Sequence, residues 1–170
     1  MSGKAWDRAH GFFNKQFSYS SGLVNTGHCF KQKYGRFEAK ILFNEPTEVT
    51  HTFWMVAEKQ IPHIDVVKFD KKINFDHFYK NGDGNAHRAG QQTAAKRYAG
   101  KPYIFTLLWS ANSLEWLING VSVTKITEHV PQEPMYVAFS SGVYGNSEPE
   151  ISEQSFLIEW VRCYQMAESV

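Results

Sequence analysis

Between Arg36 and Phe43 the chain alternates. Phe37, Ala39, Ile41 and Phe43 fall on one side, and Arg36, Glu38, Lys40 and Leu42 on the other. Successive side chains of an extended strand point to opposite faces, so this is the signature of a half-buried β-strand. Similar runs recur at short intervals. Lys71–Tyr79 places Ile73, Phe75, His77 and Tyr79 on one side, and strands are expected again over Tyr103–Trp109, Ser113–Ile118, Val121–Thr127, Met135–Ser140 and Phe156–Gln165. Asn119-Gly120 supplies the positive φ angles that a two-residue hairpin turn requires. Ser21–Phe30 reads as a strand after a Ser-Gly turn, residues 1–20 as an extended lead-in with one short strand, and Lys80–Gly90 as a loop. Gln91–Ala99 fits helix and strand equally. About ten short strands and few helical periods make the chain all-β, a sandwich or jelly roll.

At 170 residues this is one domain, able to bury a core without metals or staples. Eighteen basic and seventeen acidic residues give a net charge of +1, spread along the chain, so nothing points to nucleic acid. No apolar run reaches the length of a membrane span. The opening MSGKAWDRAHGFF has neither the apolar stretch nor the cleavage site of a signal peptide. Cys29 and Cys163 allow either a disulfide or two free thiols. His28, His77, His87 and His129 lack zinc-ligand spacing, and Asp83 and Asn85 suit an Asn/Asp/Gly turn without an ion. The aromatic fraction of 15% is high, and aromatics beyond the needs of a core line clefts or interfaces.

One stretch stands apart from the rest, TFWMVAEKQIPHIDVVKF, from Thr52 to Phe69. After the break at Pro62, His63 and Asp65 share a face while Ile64 and Val66 take the other. Lys68 joins His63 and Asp65 only if a bulge adds one residue to the strand. Taken alone, these ionisable groups are a solvated rim on a half-exposed sheet.

Four segments, in order, resemble family-16 glycoside hydrolases, the laminarinase, lichenase and agarase group. Ser21-Gly22 through Tyr34-Gly35-Arg36-Phe37-Glu38-Ala39-Lys40 is similar to the family's S-G-x-[VI] … Y-G-R-F-E-A-R. His51–Met55 resembles its A-F-W-L segment, whose Trp lines the sugar cleft; the matching residue here is Trp54. Tyr103–Trp109 and Leu114–Gly120 are similar to F-H-x-Y-x-x-E-W … I-x-W-x-[VN]-D-G, and Phe156–Gln165 to the closing V-D-Y-V-R-V-Y-Q. The likeness covers most of the chain from residue 20 onward, without the family's usual first strands. It implies a concanavalin-like jelly roll of two curved antiparallel sheets with glycans along the concave one.

The family's catalytic signature, E-[IL]-D-[IVF]-x-E, falls on His63-Ile64-Asp65-Val66-Val67-Lys68. A retaining glycosidase needs a nucleophilic carboxylate and an acid about 5–5.5 Å apart, which one strand face can supply. Here His63 stands at the nucleophile position, Lys68 at the acid/base position, and only Asp65 is kept. In the shorter form of the signature the acid would fall at Val67. An imidazole cannot form the glycosyl ester, and an ammonium of reference pKa about 10.4 is a poor proton donor at neutral pH. The His and Glu of F-H-x-Y-x-x-E-W are likewise replaced, by Tyr103 and Leu108.

Three functions stay open at this point. The first is a non-catalytic carbohydrate-binding domain for a β-glucan or galactan type of polysaccharide or oligosaccharide. Its contacts would be Trp54, Asp65, Tyr103 and Trp109, although Trp109 and Trp116 also suit a core. The second is a glycoside hydrolase with relocated carboxylates, with Glu58, Asp70, Asp76 and His77 near the same sheet. The third is a structural module with a closed cleft. No cofactor is expected. The resemblance allows a structural calcium held partly by Glu159, and it implies action outside the cytoplasm.

Overall fold

The protein is described here from a computed structural model that covers residues 2–7, 11–16, 19, 21–143 and 155–165. Alternation of the kind seen in Arg36–Phe43 produces thirteen strands among these residues. A hairpin, β1 (Ser2–Asp7) and β2 (Gly11–Gln16), forms a two-stranded sheet of its own. The lead-in therefore holds two paired strands rather than one.

Two larger sheets pack face to face. The first takes β3 (Leu23–Asn25), β12 (Tyr136–Val143), β5 (Val49–Val56), β6 (His63–Phe69), β7 (Lys72–Lys80) and β8 (Ala86–Ala94), in that spatial order. The second takes β11 (Val121–Ile126), β10 (Leu114–Ile118), β9 (Pro102–Trp109), β4 (Gly35–Phe43) and β13 (Phe156–Tyr164). Neighbouring strands pair antiparallel, and the whole is a jelly-roll sandwich.

The apolar alternation explains the core. Phe37, Ala39, Ile41 and Phe43 of β4 and Phe105, Leu107 and Trp109 of β9 face Phe53, Met55, Ile64, Phe69, Ile73 and Phe75 of the other sheet. Phe43 and Phe69 stack across the interface with ring centroids 4.4 Å apart. Asn119 and Gly120 both adopt positive φ, 49° and 79°, and close the β10–β11 hairpin as the dipeptide predicts.

Local signals misplace two boundaries. Only Leu23–Asn25 is a strand within residues 21–30, because residues 27–29 turn. The expected 80–90 loop shrinks to residues 81–85, since Ala86–Ala94 is the edge strand β8. A 3-10 turn, Ala95–Tyr98, then ends it, so the ambiguous 91–99 segment is strand first and helical turn afterwards. Gly90 made this strand read as a loop, but its role is close approach. It lies opposite Asp76, and a Cβ there would come 2.2 Å from the Phe75 carbonyl oxygen and 2.4 Å from Asp76 Oδ1. The backbone oxygen cannot swing aside as a side chain could. Gly90→Ala should therefore lower stability by about 1–3 kcal/mol, read as a drop in thermal midpoint.

Candidate functional site

The β5–β6–β7 register is interrupted at one place. Phe53 pairs with Val67 but Trp54 pairs with Asp65, and on the other side Asp65 pairs with Asp76 while Lys68 pairs with Asn74. Val66 is the extra residue of a β-bulge. Val66 and Val67 consequently both enter the core, and Lys68 comes out beside His63 and Asp65. The condition set by the sequence pattern is met.

A bulge leaves ladder groups without partners. The Asp65 carbonyl is satisfied across the core by Trp116, whose Nε1–H donates to it at 2.9 Å. Trp116 is fully buried, so its indole N–H requires such an acceptor. The second sheet thus pins the bulge from beneath.

Above it lies a groove of about 560 Å³ on the outer face of the first sheet, lined among others by Trp54, Gln60, Ile61, His63, Asp65, Lys68, Phe78, Tyr136 and Ser140. His63 Nε2 is 2.7 Å from Asp65 Oδ1. The imidazole stacks on Trp54 with centroids 4.8 Å apart and meets the edge of Phe78. Trp54 Nε1 donates to Ser140 Oγ at 3.1 Å, which fixes the indole while leaving it partly exposed. Asp65 is 4% exposed and forms the floor.

Beside Asp65 on β7, Asp76 is 2% exposed and does not line the groove. Arg88 Nε lies 2.8 Å from its Oδ1. Burial pushes the Asp76 carboxyl above the usual carboxylate range, and nearby Asp65 adds to this while Arg88 opposes it.

Other expected residues lie elsewhere. Trp109 is buried in the second sheet, with Nε1 on the Pro131 carbonyl, and is a core residue. Tyr103 also belongs to that sheet, its hydroxyl donating to the Arg97 carbonyl. Neither reaches the groove, because β9 faces the core from the opposite side. Glu58 pairs with Lys31, and Asp70 accepts the Lys72 amide in the β6–β7 turn. His77 points inward with both ring nitrogens unpartnered. Glu159 is engaged by Lys40 at 2.7 Å, and the described residues hold no cluster of three His, Cys, Asp or Glu side chains. Cys29 is exposed and Cys163 half-buried, and both are free thiols. The structural partners that sequence reasoning missed are Ser140, Trp116 and Arg88. A serine in β12 and an arginine in a mistaken loop carry no local signal of what they touch.

A second recess of about 480 Å³, walled by residues such as Val24, Phe30, Val137, Phe139 and Phe156, is almost entirely apolar and offers little to a polar ligand.

Residues 7–162 match the sequence profile of Glycosyl hydrolases family 16. The chain belongs to glycoside hydrolase family 16. The matched region opens well before residue 20, so the family likeness takes in β2 as well. Among curated family relatives, the chain is 22% identical to glucan endo-1,3-beta-glucosidase A1 of Niallia circulans, with 89% of this chain aligned. It is 21% identical to the endo-1,3-1,4-beta-glycanase ExsH of Rhizobium meliloti over 88% of this chain. It spans only 27% and 34% of those relatives' own lengths. In structure it resembles the laminarinase catalytic domain of Thermotoga maritima, with a TM-score of 0.74 at 18% identity, covering 98% of this chain and 75% of that one. A family-16 mixed-linkage glucan protein of Bacteroides ovatus, solved with an oligosaccharide product, gives 0.71 at 19% identity, covering 95% and 88%. This family-16 sandwich carries its groove on the sheet that holds β6.

Two outcomes follow from the groove's supports. Trp116→Phe leaves the Asp65 carbonyl unsatisfied and should cost about 1–3 kcal/mol in chemical denaturation. His77 is lowered to about 4 by burial, with His129 and His63 adding to the effect. Between that value and its ordinary 6.5 the unfolded chain binds a proton that the folded one does not, so stability falls as pH falls through this window. His51, also lowered by burial, acts in the same direction, while Asp76 opposes it. The His77 contribution is about 3 kcal/mol. His77→Leu should flatten the decline in thermal midpoint between pH 7 and 4.5.

Proposed function

We propose that this chain binds a polysaccharide or oligosaccharide in the Trp54 groove without hydrolysing it. The observation that carries the reading is the outward row of β6, where His63 and Lys68 flank Asp65 on the floor of the groove. Those are the positions where the family signature places its working carboxylates. An imidazole and an ammonium there cannot complete a double displacement. What is left suits recognition. Trp54 and Phe78 offer apolar faces to a pyranose ring, and Gln60, Tyr136 and Ser140 offer hydrogen-bonding groups. Relatives are named a glucan endo-1,3-beta-glucosidase and an endo-1,3-1,4-beta-glycanase, which makes β-glucans the first ligands to try. Such polysaccharides are met outside the cell, where we expect the protein to act.

The hydrolase alternative draws on Asp76, the cross-strand neighbour of Asp65. Its burial and its pairing with Arg88 keep it from a substrate. Incubation with laminarin, mixed-linkage glucan and agarose is therefore expected to release no reducing sugar. Release that disappears in Asp65→Asn or Asp76→Asn would restore the enzyme. In titration calorimetry against oligosaccharides of the same glycans, Trp54→Ala should weaken binding on the order of tenfold. A groove that takes none of these glycans would point to a structural module.

A further inference from the structure

We infer that His63, held by Asp65, is a general base that hydrolyses acyl esters, such as O-acetyl groups, carried by a glycan in the groove. The inference rests on the glycan-binding reading and goes beyond it by giving the bound glycan a reaction. It starts from how the imidazole is held. His63 Nε2 is 2.7 Å from Asp65 Oδ1. Trp54 stacks on the ring with centroids 4.8 Å apart, and Phe78 meets it edge-on at 5.3 Å. Asp65 is 4% exposed, and the Trp116 indole holds its backbone carbonyl from the core side. A carboxylate only accepts, so in a neutral ring Nε2 carries the hydrogen and the lone pair lies on Nδ1. Nδ1 has no hydrogen-bonding partner among the described residues, on a ring that lines the groove.

The choice of reaction follows from what a base can do to a glycan. Glycosidic bonds are acetals and break with acid assistance to the leaving oxygen, so a base by itself leaves them intact. An acyl ester differs, because its carbonyl carbon takes up a water from which a base removes the proton. The water oxygen bonds to the acyl carbon as one of its protons passes to Nδ1. The carbon–oxygen bond to the sugar then breaks, and Nδ1 returns that proton to the departing sugar oxygen. The products are a carboxylic acid and a free sugar hydroxyl, with no change of oxidation state. Between the two transfers the ring is positive, and Asp65 offsets that charge, as a carboxylate behind a catalytic histidine does. Among the titratable groups nearby, Lys68 on the same strand and Tyr136 of β12 also line the groove. Lys68 acts on Asp76 of β7, which Arg88 of β8 meets, and His63 itself acts on His77 of β7.

The test incubates the whole chain with chemically O-acetylated laminari-oligosaccharides and follows acetate by proton NMR, beside calorimetry with the unacetylated sugars. Acetate is expected without reducing sugar, at a rate about a hundredfold above that of His63→Gln. The rate should fall as pH is lowered and the imidazole takes up a proton, and His63→Gln should lack this fall. Asp65 is a positioning residue here, so Asp65→Asn should lower kcat on the order of tenfold or more and leave KM within about twofold. His87 meets Asp83 at 3.2 Å outside the groove and serves as the control, and His87→Gln should keep the full rate. Thermal unfolding of each variant establishes that it is folded. Oligosaccharide binding without acetate release would overturn the esterase and leave glycan binding standing. Release that persists in His63→Gln, or falls equally in His87→Gln, would also overturn it. Neither binding nor release would overturn both readings.

Discussion

One hydrogen bond beneath the groove joins everything that matters in this molecule. Trp116, from the second sheet, donates its indole N–H to the Asp65 carbonyl at the place where β6 takes in an extra residue. Without an acceptor the buried indole would carry an unsatisfied donor, and without a donor the bulge would leave a buried carbonyl orphaned. Each need answers the other. The bulge in turn decides which side chains face the groove, since Val66 and Val67 both turn inward and Lys68 turns out. A regular strand would have shown Val67 to the groove and hidden the lysine.

Above that bond lie two matched charge pairs, one on the groove's floor and one beside it. His63 meets Asp65, and Arg88 meets Asp76, across strands whose register brings the two carboxylates side by side. Burying two neighbouring acids is costly unless cations accompany them. Arg88 reaches Asp76 from the edge strand, and Gly90 in the same strand leaves room for the Asp76 carboxylate. A hydrolase floor needs accessible acids instead, one to attack and one to donate. His77 adds a second kind of sensitivity, as a neutral imidazole shut in the core that acid must charge.

Much of this was legible in the residues. Period-two alternation gave the β class, and Asn119-Gly120 gave its hairpin. The order of four motifs, from Tyr34-Gly35-Arg36-Phe37 to the closing strand, pointed to the family to which the chain belongs. The misreadings share one cause. Gly90 was taken for a loop residue because local composition does not say whether a glycine permits a turn or the close approach of a neighbouring strand. Tyr103 and Trp109 were candidates for the groove because a motif fixes which strand a residue is on, while burial depends on which face of that strand meets the other sheet.

The division follows the range of the forces involved. Strand periodicity, turn chemistry and the placing of His63 and Lys68 around Asp65 in one short run are properties of neighbours in the chain, so the amino-acid order is enough to set them. That Lys68 faces the groove, that Asp65 and Asp76 lie side by side, and that Ser140, Trp116 and Arg88 hold Trp54, Asp65 and Asp76 depend on pairing between strands far apart in sequence. Such pairings exist only after two sheets have closed over a common core. There the packing of Val66 and Val67 and the buried N–H of Trp116 select one register over the alternatives.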